Sequence, residues 1–81
     1  MHYVYIIRSA KSGKIYRGST SDLRRRVAEH NSGKVVSTKA MIPWELIYYE
    51  AFVNKTAALK EEVFLKSGQG RQRLRYLLES T

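Results

Sequence analysis

Residues His2 to Arg8 are rich in aromatic and β-branched side chains, Lys14 to Gly18 form a shorter run of the same kind, and Ser9 to Gly13 between them have turn composition. This pattern predicts a β-hairpin. Gly18 is read as closing the second strand and letting the backbone turn tightly into a helix. Thr20 or Ser21 can N-cap that helix, and Asp22 sits in its first turn, at the positive end of the dipole. The helix should run from about Asp22 to Asn31 and stop at Ser32-Gly33, since glycine is preferred just past a helix C-terminus. Leu23 and Val27 form its core stripe; at 100° per residue, Arg26 and His30 lie on the edge of that stripe, while Arg25 and Glu29 point away.

Residues 34 to 43 are polar and basic and end at Pro43, which predicts a surface loop. Trp44 to Val53 is the longest strand candidate, because Pro43 can precede a strand but not sit inside a central one. A second helix is expected from Asn54-Lys55-Thr56 to about Ser67, closed by Gly68, and a last basic helix from about Gly70 to Leu78. The predicted fold is therefore α+β: a three-stranded antiparallel sheet flanked by helices, in the order β-β-α-β-α-α.

Eighty-one residues fit one domain, 1 to 81, which buries only about 60 to 65% of its unfolded surface, so the stability margin should be thin. Fifteen Lys and Arg against seven Asp and Glu give a formal charge of +8. A field of that strength favours a polyanion, with nucleic acid the first candidate and anionic lipid the weaker one. With no cysteine and only two histidines, Cys-based zinc sites and multi-histidine cages are excluded, so any metal must sit on carboxylates. The longest apolar runs, Val4 to Ile7 and Leu46 to Tyr49, are far short of the roughly 20 residues a membrane span needs; the expected location is cytoplasmic, with no membrane partner.

Val4-Tyr5-Ile6, Tyr16-Arg17-Gly18, the Arg26 and His30 pair four residues apart, and a later helical Glu together resemble the GIY-YIG nuclease family, over nearly the whole chain. The two motif tyrosines are 11 residues apart, and Gly18 to Gly33 is similar to the small single-domain members. The resemblance implies a metal-dependent endonuclease acting on nucleic acid, DNA ahead of RNA. Tyr5 and Tyr16 would place or deprotonate the attacking water, Arg26 would stabilise charge on the scissile phosphate, and His30 would donate a hydrogen bond or proton. A phenol has a pKa of about 10, so Tyr5 needs cationic neighbours or a metal-bound water to act as a base.

For the metal ligand the second helix offers Glu61 and Glu62, and helical spacing does not decide between them. The family order of Ala, Leu, Lys, any residue, Glu favours Glu62, with Ala58-Leu59-Lys60 before it and Leu65-Lys66 after it. One carboxylate suffices for Mg²⁺ or Mn²⁺, because magnesium keeps several waters and shares the substrate phosphate. Larger members carry a further Asn in a late helix, whereas Asn31 and Asn54 are the asparagines of this chain.

The remaining basic residues, Arg17, Arg24, Arg25, Lys34, Lys39, Lys66, Arg71, Arg73 and Arg75, are expected phosphate contacts, with Arg17 read as a solvent-facing position in mid-strand. Relatives of this kind often gain specificity from a fused module or partner protein. The rival expectation is a basic nucleic-acid-binding module that keeps the fold without turnover.

Overall fold

The computed structural model describes residues 1–79. Strand β1 (His2–Ser9), strand β2 (Ile15–Thr20), helix α1 (Leu23–Asn31), a 3₁₀ turn (Lys39–Met41), strand β3 (Trp44–Phe52), helix α2 (Lys55–Leu65) and helix α3 (Gly68–Glu79) follow in the expected order. The three strands form one antiparallel sheet in the order β2-β1-β3.

The most apolar strand takes the centre. Val4, Tyr5, Ile6 and Ile7 are at most 1% exposed, which fits a strand covered on both faces. Burying each such side chain is worth about 1.5–3 kcal/mol, so β1 anchors the sheet. Because side chains alternate across a strand, Tyr5 and Ile7 fall on one face with Trp44, where Leu23 and Val27 of α1 pack on them. Val4 falls on the other face with Ala58 and Leu65 of α2. The β1–β3 register slips between Ile6 and Ile7, so that Ile6 pairs with Tyr48 and Ile7 with Leu46.

Several boundaries differ from the sequence expectation for local reasons. Strand β2 continues to Thr20, and Gly18 lies inside it, paired with Tyr5. The N-cap of α1 is Asp22, not Thr20 or Ser21: its carboxylate accepts the Arg25 N–H at 3.1 Å, while Thr20 Oγ1 accepts the Asp22 N–H. Helix α2 begins under an Asn54 cap, as expected, but ends at Leu65. Helix α3 starts two residues earlier than Gly70, because Ser67 Oγ accepts the Gly70 N–H and caps the first turn. Gly33 follows α1 with φ of +82°, the left-handed conformation that suits glycine after a helix.

The stretch from 34 to 43 is not wholly a surface loop. Thr38 within it is fully buried, and its carbonyl accepts the Trp44 indole N–H at 2.8 Å. Asn31 ties the same region to β3, its side chain donating to the Trp44 carbonyl and accepting the Trp44 N–H. A cis Ile42–Pro43 peptide leads into β3. Among the described residues, no helix is long and apolar enough to cross a membrane.

Candidate active site

The inward face of α1 carries Leu23, Val27 and His30, spaced four and three residues apart, which is the period of a core stripe. His30 therefore lies in that stripe and not on its edge: it is 0% exposed. Burying an imidazole is tolerable only if both ring nitrogens find partners, and here they do. Nε2 lies 2.7 Å from the Tyr5 hydroxyl, and Nδ1 lies 2.8 Å from Thr38 Oγ1. The Thr38 hydroxyl donates to the Val35 carbonyl, so its oxygen is left to accept from Nδ1–H. By that assignment Nε2 is the acceptor, and Tyr5 O–H donates to it.

Burial pushes the Tyr5 hydroxyl above its ordinary pKa, against the pull of the adjacent Arg26 guanidinium; Tyr16 and Glu62 raise it further. His30 is lowered, first by burial and then by the positive charge of Arg26. At rest the proton accordingly stays on Tyr5 and the imidazole is neutral.

The depressed His30 has a consequence for stability. Unfolded histidine titrates near 6.5, so below that pH the unfolded chain binds more protons than the fold does. Stability should be full above about pH 6.5 and be lost as pH falls through the lower folded value. Glu50 acts with the opposite sign, because burial, then Glu61, raises it, and its contribution is lost as pH rises through its folded value. Thermal melts of Glu50→Gln between about pH 7.5 and 5.5 should isolate the His30 effect as a steady fall in Tm on acidification. A flat profile would show that His30 is protonated as readily in the fold as out of it.

Arg26 stands at the mouth of this buried pair. Its side chain is 35% exposed, touches the Tyr5 hydroxyl and bonds Glu29 at 3.1 Å. Glu29, expected to point away from the core, also pairs with Arg25 at 3.4 Å and is held below its usual pKa mainly by Arg26. A polar cleft of about 250 Å³ opens here, lined by Ser19, Thr20, Arg25, Arg26 and Glu29. Glu29 and Thr38 are the residues that sequence reasoning left out. The three-residue spacing of Arg26 and Glu29 was a legible sign for the first; the tertiary position of Thr38 had no such sign.

Gly18 belongs to the site for a reason other than a turn, since its φ is not positive. A Cβ on Gly18 would lie 2.5 Å from the Tyr5 oxygen, so only glycine leaves the tyrosine ring its place across the β1–β2 pair. Tyr16, two residues earlier on the same face of β2, packs edge-on against His30 at 5.1 Å between centroids and against Trp44 at 6.5 Å.

The two carboxylates of α2 part company. Burial would raise Glu62, but hydrogen bonds from Lys66 and Ser19, with the charges of Lys66 and His2, bring it below its ordinary value. Its bond to Lys66 is 2.9 Å. Ser19 also lines the polar cleft, so the Glu62 carboxylate is tied to the cleft wall through Ser19, and it is near enough to Tyr5 to act on its hydroxyl. Glu61 turns instead to Arg73, at 3.5 Å, and to Glu50. Among the described residues no cluster of three His, Cys, Asp or Glu could hold an ion. An ionised single carboxylate at an open cleft suits a hard cation that takes its other ligands from water and phosphate.

The other basic residues do not form one surface. Arg24 and Arg25 flank the cleft region on α1, while Lys34 and Lys39 are exposed beyond it. Arg17 is half-buried rather than solvent-facing; its Nε has no hydrogen-bond partner among the described residues, and with Arg71 and Arg75 it lines a separate cleft beside α3. Lys66 and Arg73 are engaged by Glu62 and Glu61.

Comparison with known proteins gives the family and the fold. The sequence model of the GIY-YIG catalytic domain matches residues 1–75. A UPF0213 protein of Streptococcus pneumoniae is 39% identical over 79 residues, covering 96% of this chain and 79% of the relative. One from Staphylococcus epidermidis is 38% identical over 79 residues, covering 96% of this chain and 95% of the relative. The solution NMR structure of a UPF0213 protein from Bacillus halodurans superposes with a TM-score of 0.57 at 37% identity, covering 94% of this chain and 83% of that one.

Proposed function

Because the chain belongs to the GIY-YIG catalytic domain family, a family of nucleases, we propose that it is a metal-dependent endonuclease hydrolysing phosphodiester bonds of nucleic acid, DNA ahead of RNA. The observation that carries this reading is the Tyr5 hydroxyl, held between the Arg26 guanidinium and His30 Nε2, with Arg26 lining a polar cleft to whose wall Glu62 is tied through Ser19.

Tyr5 spends its proton on His30 and one oxygen lone pair faces the Arg26 guanidinium, which leaves the other to accept from a water in the cleft. As the water oxygen forms its bond to phosphorus, its proton passes to the Tyr5 oxygen and the Tyr5 proton passes to His30 Nε2. The leaving oxygen departs with the bonding pair and is protonated by solvent. This relay needs no free phenolate, which burial disfavours here; burial and Arg26 disfavour the imidazolium as well, so it is transient and returns its proton through Tyr5 to solvent. Arg26 presents a planar fork to the non-bridging oxygens, where negative charge accumulates. Glu29 holds that fork in place, and Tyr16 fixes the His30 ring from its edge. Glu62 would hold Mg²⁺ or Mn²⁺, which supplies charge neutralisation on the phosphate when bound.

Cleavage of single-stranded, duplex and branched DNA and RNA should require Mg²⁺ or Mn²⁺ and stop with chelator. Glu62→Gln should raise the Mg²⁺ concentration for half-maximal cleavage by about ten- to a hundredfold, whereas Glu61→Gln leaves it near the parent value. The reverse ranking would move the metal to Glu61. No cleavage of any of these substrates, with binding intact, would favour a binding module.

A further inference from the structure

Next to the polar cleft, the α1 side of the sheet holds a wider opening of about 580 Å³. Tyr3 and Tyr49 lie on the same face as Tyr5 but outside the cluster that α1 covers. Their rings meet edge to face, 6.2 Å between centroids at 64°, and Tyr49 is 55% exposed. Leu46 and Val27 give the groove an apolar floor, and Arg24 stands at its rim. The groove shares Ser21 and Asp22 with the polar cleft, so the two openings adjoin each other at the start of α1. The Asp22 carboxylate is occupied in capping the helix.

We propose that this groove stacks an unpaired nucleobase next to the phosphate held at Arg26, an inference that rests on the nuclease reading and makes the substrate single-stranded or locally unpaired. A nucleobase is flat and aromatic with polar edges, which suits a platform of tyrosine rings. The rim charge of Arg24, within a chain of net charge +8, complements the backbone that carries the base. The opening has the volume of a small-molecule pocket, whereas an α-helix about 10–12 Å across would need a longer trough. A blunt duplex keeps its bases stacked on each other and would reach the arginines with phosphate alone.

The test uses the full chain in chelator, so that nothing is cut, and follows fluorescence anisotropy with a short labelled single strand, the same strand with abasic spacers, and a blunt duplex. The parent should bind the single strand about tenfold or more tighter than its abasic counterpart. Tyr49→Ala should erase that difference and leave duplex binding unchanged, and Tyr49→Phe should restore it. Because Tyr49 is more than half exposed, its replacement should not disturb the fold, which circular dichroism would verify.

Equal single-strand binding by Tyr49→Ala and the parent, or an equal loss on strand and duplex, would overturn the proposal. So would a parent dimer that Tyr49→Ala dissociates, since the groove would then belong to a second copy. Base-dependent binding through Tyr49 without cleavage in Mg²⁺ would sink the nuclease reading and leave the platform standing. Cleavage in Mg²⁺ with binding indifferent to Tyr49 would do the opposite.

Discussion

Arg26→Ala is expected to slow cleavage by roughly a hundredfold or more, a loss of about 3 kcal/mol of transition-state stabilisation, while nucleic-acid binding stays close to that of the parent. The three consecutive arginines make the contrast internal to one helix. Arg25 is 75% exposed on its side chain, and Arg24 stands at the groove rim, so both act through screened water and are nearly interchangeable as attractors of phosphate. Arg26 alone of the three touches the Tyr5 hydroxyl; Glu29 holds it at 3.1 Å, closer than the 3.4 Å contact that the same carboxylate makes with the far more exposed Arg25. Single-turnover rates on saturating substrate separate the cases, because they read the chemistry after binding is complete. Arg25→Ala should retain nearly the parental rate, and Arg26→Lys should not rescue, since lysine keeps the charge but loses the planar fork. Equal single-turnover rates for Arg25→Ala and Arg26→Ala would sink the assignment.

Tyr5→Phe is expected to lower the cleavage rate by about 10²–10⁴-fold, the range associated with losing a positioned proton-transfer group. It should also destabilise the protein. The hydroxyl is the partner of a fully buried His30 Nε2, and leaving that acceptor unmatched costs about 1–3 kcal/mol. In a domain of this size such a loss lowers Tm by about 4 °C or more. The paired readout distinguishes the relay from a purely structural tyrosine. A lowered Tm with parental turnover would mean that the hydroxyl only satisfies the histidine, and another group would then have to take the water's proton.

Much of the architecture follows from the order of residues. The aromatic and β-branched runs around Val4 to Ile7 and Leu46 to Tyr49 favour strands, and the Leu23–Val27 spacing favours a helix with one apolar side for the intervening segment. Boundaries were less legible because a single cap sets each of them. Asp22 and Ser67 each compete with nearby residues able to cap, and the winner depends on which backbone N–H comes within reach.

The identities of the clustered residues were legible through their family pattern, but their environment was not. The 100° step puts His30 next to the Leu23–Val27 stripe without showing how deep it lies; its burial depends on Tyr5 from β1 and Thr38 from the segment before β3 arriving at its two nitrogens. Gly18 looks like a turn residue until the β1–β2 register sets the Tyr5 ring against it. Glu61 and Glu62 are equivalent on a helix taken alone, and Arg17 looks exposed on a strand taken alone. Packing of α2 and α3 on one face of the sheet directs Glu62 toward Ser19, Glu61 toward Arg73, and Arg17 into the cleft beside α3. Local periodicity determined which residues form strands and helices, because it acts between neighbours in the chain. Which side chains share a proton, a charge or a void was decided by contacts between residues far apart in sequence, and those exist only once the sheet and its helices have packed together.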